Sequence, residues 1–263
     1  MQILFIHHSC GGQLLAGNGT PTSADAAGSS HCIYTTHANG GGLRSQLEKL
    51  GFSVNEASYG SLVGADTDIH CWHAKFRDQM DRVLKTKHQD EVLPAGQSNR
   101  VVVFKSCFPN NDFVGEGHEP GDPDSAQLTV ANAKAAYCSL LPLFAEHPEV
   151  LFVAMTAPPQ AAPPETKSFR AKVKRWLKGA PKDGLLARQF NTWLADPDVG
   201  WLADYTGGNV RVFNYFKILT DDRASGWSAY PTGNGQNSHP STTGNTKAAT
   251  AFVAFLEKAL SHN

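Results

Sequence analysis

The chain has 263 residues, with 23 Lys and Arg against 24 Asp and Glu, for a formal net charge of -1. That length suits one α/β domain with an ample core, since chains below about 300 residues need not split. The charge balance lacks the basic footprint of nucleic-acid binders, and no apolar run approaches the roughly 18 residues that span a bilayer. The expected partner is a small or neutral molecule, with neither nucleic acid nor membrane. The chain as it stands reads as soluble, and as cytoplasmic unless a leader has been removed. Cys10, Cys32, Cys71, Cys107 and Cys138 form an odd set without zinc-finger spacing. They read as mostly free thiols, with a Cys32 to Cys71 bridge as the alternative.

In chain order, the first apolar run, Ile3 to Ile6, reads as a buried strand, and Ser9 with Gly11 and Gly12 as a turn at its end. Gly11 to Gly42 is crowded with Gly, Ser, Thr and Ala and is expected to be a long loop inserted over the site, as a lid or a disordered excursion. Leu43 to Leu50 then reads as a helix stopped by Gly51, and Phe52 to Ala57 as a strand followed by Tyr59 and Gly60. Asp66 to His73 gathers metal-capable side chains without the i, i+4 logic of a metalloprotease. It reads as a loop and helix start in which Asp68 caps and Trp72 packs, and no metal or cofactor is expected. Phe76, Met80, Val83 and Leu84 recur at helical spacing. Val101 to Phe104 is a second strand buried on both faces, followed by Lys105-Ser106-Cys107-Phe108-Pro109-Asn110-Asn111-Asp112.

Leu128 to Glu146 is predicted as a helix ended before Pro148, and Val150 to Met155 as a third fully buried strand. Ala161 to Pro164 is a loop, Leu185 to Leu194 a helix, Val210 to Phe213 a strand, and Gly226 to Gln236 another loop. Ala248, Phe252, Phe255, Leu256 and Ala259 stripe a last helix. Five strands alternating with helices imply an α/β fold with right-handed crossovers and a five-stranded parallel sheet, one domain over residues 1–263.

A parallel sheet gathers the carboxyl ends of its strands along one edge, so residues distant in sequence meet there. Ser9 ends the first strand and His239 precedes the last helix, a nucleophile and base in prospect. Asn110 or Asn111 could donate to an oxyanion, and Gly60 could offer a backbone N–H. Each residue has a plainer reading: helix cap for Ser9, surface or core histidine for His239, Asx turn or turn glycine for the others. Their convergence on strand ends favours the site. His8, Tyr59 and Lys105 flank it as candidates for lining a substrate pocket.

Phe5-Ile6-His7-His8-Ser9, Ser58-Tyr59-Gly60, Phe104 to Asn110, Thr156-Ala157-Pro158-Pro159, and Ser238-His239-Pro240 with Gly244 together resemble the SGNH hydrolases, the GDSL-like esterase and lipase superfamily. The likeness is to a bacterial branch with His-His-Ser in place of Gly-Asp-Ser. The resemblance implies a three-layer flavodoxin-like fold with helices on both faces of the sheet, Ser9 as nucleophile, His239 as base, and an oxyanion hole from the Ser9 and Gly60 N–H groups with Asn110, or Asn111 in the other register. It implies a hydrolase of a small acyl ester, such as an O-acetyl group on carbohydrate, that works without a cofactor through an acyl-Ser9 intermediate.

One departure stands beside the base. Family members commonly carry an aspartate two or three residues before the histidine, where this chain has Gln236 and Asn237. Asparagine can orient the imidazole through its oxygen but cannot compensate its charge. Three readings follow: an intrinsic Ser9-His239-Asn237 site, an acid recruited from Asp221 or Asp222, or a weakened protein. A weakened protein could serve as a glycan or acyl-ligand binder, with Tyr34, Trp72, Trp227 and Tyr230 as stacking candidates. Acyl transfer to a sugar hydroxyl would share the covalent intermediate, and a Cys10 thiolate beside His239 would give a cysteine hydrolase instead.

Overall fold

The computed structural model describes residues 1–164 and 184–261. The elements, in chain order, are β1 (Gln2–Ile6), α1 (Ser9–Leu15), β2 (Gly17–Asn18), α2 (Ser23–Gly28), β3 (Thr36–His37), α3 (Leu43–Lys49), β4 (Ser53–Ala57), α4 (Cys71–Lys85) and β5 (Val101–Lys105). There follow α5 (Val130–Cys138), α6 (Leu140–Ala145), β6 (Leu151–Met155), α7 (Leu185–Ala195), β7 (Val210–Phe213), α8 (Tyr215–Thr220), β8 (Pro231–Thr232), β9 (Asn237–Pro240) and α9 (Thr242–Ser261).

The long strands form one five-stranded sheet in the order β4-β1-β5-β6-β7. Every pairing in it is parallel, with Ile6 opposite Phe104 and Ala57. This is the strand order of flavodoxin-like folds, and the crevice where the order reverses, between β1 and β5, is where such sheets place their ligands.

Alternation along the strands builds two cores. Leu4, Ile6, Val102, Phe104, Phe152 and Ala154 face one side, where they meet Trp72 and Phe76 of α4, Phe144 of α6 and Phe190 of α7. Ile3, Phe5, Val101, Val103, Leu151 and Val153 face the other, against Leu14 of α1, Leu47 of α3, Leu219 of α8 and Phe252 of α9. Burial of both faces explains why β1, β5 and β6 read as unbroken apolar runs. Among the described residues no helix is long and apolar enough to cross a membrane.

Two predicted elements differ. The helix expected over Leu128 to Glu146 is two helices, α5 and α6. Pro142 has no N–H to give the carbonyl of Cys138 and its ring crowds that carbonyl, so α5 ends there and the chain restarts as a second helix. The insertion expected from Gly11 begins later, because Ser9–Leu15 is helical. A Cβ on Gly12 would lie 1.9 Å from the Cys32 carbonyl oxygen, and one on Gly11 would lie 2.4 Å from the His7 Cβ. These glycines therefore permit close packing around a helix and do not form a turn.

The excursion from Ala16 to Gly42 is organised around Asp25. Its carboxylate accepts bonds from the Thr22 and Thr35 backbone N–H groups at 2.7 and 2.5 Å and from the hydroxyls of Thr22 and Thr36 at 2.6 and 2.8 Å. These donors, the Thr22 hydroxyl first, hold the Asp25 pKa well below the ordinary carboxylate value. Low-complexity composition hides this knot, since nothing in a run of small residues marks one aspartate as its centre.

Candidate active site

Ser9 is the first residue of α1, placed just past the carboxyl end of β1. His239 lies in β9, which pairs antiparallel with β8 and leads into α9. The fold brings their side chains together: His239 Nε2 is 3.1 Å from Ser9 Oγ. Asn237 and His239 are two apart on a strand and so point to the same face. Asn237 Oδ1 accepts both the His239 backbone N–H at 3.0 Å and its Nδ1–H at 2.7 Å. One oxygen receiving two donors fixes the amide orientation, and with it the tautomer, leaving a lone pair on Nε2 for the Ser9 hydroxyl. Burial lowers the His239 pKa, with Cys107 opposing that shift and Lys105 adding to it. The ring is therefore neutral, and able to accept a proton, at neutral pH.

Gly60 follows β4 with φ at +81°, a conformation that side chains resist. His31 from the insertion closes over it: a Cβ there would fall 2.7 Å from His31 Nδ1, which donates to the Tyr59 carbonyl at 2.9 Å. The two asparagines after β5 have separate fates. Asn110 Oδ1 accepts the Ile69 N–H at 2.9 Å, and its Nδ2 gives one hydrogen to Asp68 Oδ1 at 2.8 Å. Its second N–H has no partner among the described residues. Asn111 Nδ2 donates to the Ala157 and Pro158 carbonyls at 3.3 and 2.8 Å, and its oxygen accepts from Asn191 at 2.8 Å. Asn111 thus ties β5 to the end of β6 and to α7 and has no hydrogen left for an oxyanion, which corrects the alternative register.

The expected pocket residues are mostly walls. The His8 ring is held between the Gly64 carbonyl at 2.8 Å and the Thr67 hydroxyl at 3.0 Å, and stacks on Tyr59 with centroids 3.4 Å apart. Burial lowers its pKa. With both nitrogens engaged, His8 cannot contact substrate through them, while Tyr59 is exposed above it. Lys105 is buried, and its Nζ reaches the Ser106 carbonyl at 3.1 Å and Cys107 Sγ at 3.7 Å. Beneath the corner, His7 Nε2 meets Glu56 Oε1 at 2.7 Å, and Arg44 pairs with the other Glu56 oxygen.

Cys107, which sequence reasoning passed over as one more thiol, lies 3.5 Å from Ser9 Oγ. Cys10, the sequence alternative as nucleophile, is fully buried, and its pKa is raised well above that of an ordinary thiol, by its hydrogen bond to Cys107 and by burial. Asp221 and Asp222, the candidate recruited acids, serve other partners: Asp221 takes the Tyr230 hydroxyl at 3.0 Å and pairs with Lys247, and Asp222 pairs with Lys217 at 3.4 Å. Asp68 binds Asn110 through its side chain and does not cap α4, whose N-cap residue is His70. No disulfide joins Cys32 to Cys71. Of the aromatic residues read as a binding platform, Trp72 is fully buried and donates to Ser106 Oγ at 2.9 Å, so it cannot stack on a ligand. No model of a known protein family matches the chain, and no curated protein sequence does.

Proposed function

We propose that this chain is a serine ester hydrolase of the SGNH type, acting on a small acyl ester. The observation that carries the reading is the Ser9–His239 contact of 3.1 Å with the ring locked from behind by Asn237 at 2.7 Å, at the sheet's switch point. Ser9 Oγ attacks the ester carbonyl while His239 Nε2 takes its proton. The oxyanion is met by the Ser9 and Gly60 N–H groups and the free N–H of Asn110. The imidazolium then protonates the leaving alcohol. Water, deprotonated by the same ring, releases the acyl group from Ser9.

Asn237 keeps the orienting half of a triad acid's work and loses the charge-compensating half. Replacing Ser9 with alanine and assaying short-chain nitrophenyl esters tests the reading. Turnover should fall by at least about a thousandfold, the scale seen when a serine nucleophile is removed; unchanged turnover removes Ser9 from the mechanism. Acetylated sugars assayed beside simple acyl esters then assign the leaving group. Sugar hydroxyls added as acceptors would reveal transferase activity from the same acyl-Ser9 species.

A further inference from the structure

Asn237 carries no charge, so the imidazolium formed as Ser9 gives up its proton lacks the counter-ion that a triad carboxylate provides. Resting on the hydrolase reading above, we infer that Cys107 is held as a thiolate by Lys105 and Cys10 and supplies that negative charge from beside Ser9 Oγ, the neighbour it shares with His239. Cys107 is then a positioning residue for the charge on His239.

The geometry is built around one oxygen. Ser9 Oγ has His239 Nε2 at 3.1 Å and Cys107 Sγ at 3.5 Å, so ring and sulfur share it as a common neighbour. Lys105 is 2% exposed and has no carboxylate partner among the described residues; beside a backbone carbonyl, the sulfur at 3.7 Å is what its Nζ meets. A buried ammonium is costly unless an anion faces it, and the thiol next to it can ionise. The thiol and backbone N–H of Cys10 both act on the same sulfur in the direction that favours its charge. These donors favour the charged form. The Cys107 pKa falls well below the ordinary thiol value, with the Cys10 thiol the largest cause, burial opposing and Lys105 assisting.

The other ionisable groups that face the pair cannot take this part. Toward the sulfur stand Lys105, Cys10, Cys32, His8, Tyr59 and Tyr215; toward His239 stand Lys105 and His37. Cys10, Cys32 and Tyr215 are all pushed up and Tyr59 is pushed up to about 12, so none is an anion at neutral pH. The histidines and the lysine are neutral or positive. Cys107 is thus the one group among the described neighbours able to favour the imidazolium, against the opposing charge of Lys105.

The test reads charge as well as turnover. Ultraviolet titration of the intact protein should show one thiolate forming below the ordinary thiol range, and Cys107→Ser should lose it. In carbon-13 histidine NMR, with His239 assigned through His239→Gln, its pKa should fall by about one in Cys107→Ser and stay near the wild-type value in Cys107→Asp, which restores the negative charge. The acid limb of ester hydrolysis should move in the same order, with the plateau down roughly tenfold in Cys107→Ser and recovered in Cys107→Asp. Should Cys107→Ser leave Lys105 too strained to fold, Cys107→Ser with Lys105→Met removes both charges, and the thiolate titration needs no variant. No thiolate at neutral pH, or a His239 pKa indifferent to residue 107, overturns the inference. A thiolate and a coupled His239 pKa without ester cleavage uphold the charge relation and remove the hydrolase reading instead.

Discussion

Ser9 stands on a corner braced from within the sheet, whereas His239 sits on a four-residue strand that, among the described residues, pairs in its small sheet with just the two residues of β8. Below Ser9, the Glu56 carboxylate is buried between His7 and Arg44, His8 is engaged through both nitrogens, and Cys107 lies against the hydroxyl with Lys105 reaching its sulfur. On the base side, Asn237 is exposed and grips the ring through one acceptor atom. The place of Ser9, the proposed nucleophile, is therefore set by buried charge, and that of His239, the proposed base, by hydrogen-bond geometry alone. Disturbing the first side should cost folding energy, and disturbing the second should cost rate.

The largest expected effect on stability is on the braced side. Glu56→Gln leaves the buried His7 and the partly exposed Arg44 facing a neutral amide; breaking a fully buried pair typically costs about 3 to 5 kcal/mol, and the lower end, about 3, is expected here. Urea unfolding measures it, and a loss under about 1 kcal/mol would mean that the network is not what holds the corner. Its pH dependence has a definite sign. Burial pushes the Glu56 pKa up, but the His7 hydrogen bond and the charges of His7 and Arg44 prevail and leave it below 4.5. The stability it contributes is present above 4.5 and is lost as pH falls through the lower folded value.

Next in size is the contrast between neighbouring asparagines. Asn110→Ala should lower kcat by roughly 10² to 10³, the usual effect of losing an oxyanion donor, about 3 to 4 kcal/mol. Asn111→Ala should leave kcat nearly intact and cost about 1 to 3 kcal/mol of stability, because the Ala157 and Pro158 carbonyls lose their donor. Kinetics and denaturation on the two variants separate the roles, and equal effects on kcat would merge them.

On the base side, Asn237→Ala should reduce turnover by about ten- to a hundredfold, because nothing then selects the Nδ1–H tautomer. The smallest effect is a shift along the pH axis. Because burial holds the His239 pKa below 6.5, the wild-type acid limb should lie below that value, with activity rising as pH climbs through it. Asn237→Asp should move the limb upward, since a carboxylate favours the charged ring. A limb indifferent to residue 237 would detach Asn237 from the base.

The strands and the Ser9–His239 pairing were legible because both depend on local signals: buried apolar runs, and polar residues placed where those runs stop. The break between α5 and α6 was missed although Pro142 marks it, because the apolar pattern runs across it. What stayed hidden depends on contacts distant in sequence. Gly11 and Gly12 look like a turn until Cys32 and His7 are seen against them. Asn110 and Asn111 are interchangeable as letters and differ only through Asp68 and Asn191. Cys107 reads as one more thiol in the sequence, and what sets it apart, Cys10 and the buried Lys105 beside it, comes into view only in the fold.

Fluorophosphonate labelling with peptide mapping, on wild type, Ser9→Ala and His239→Ala, tests the central claim most directly, since it asks for an activated serine without choosing a substrate. The account predicts one adduct on Ser9, absent in Ser9→Ala and formed far more slowly in His239→Ala. A wild-type protein that stays unlabelled, or one labelled at Ser9 at the same rate without His239, would contradict it.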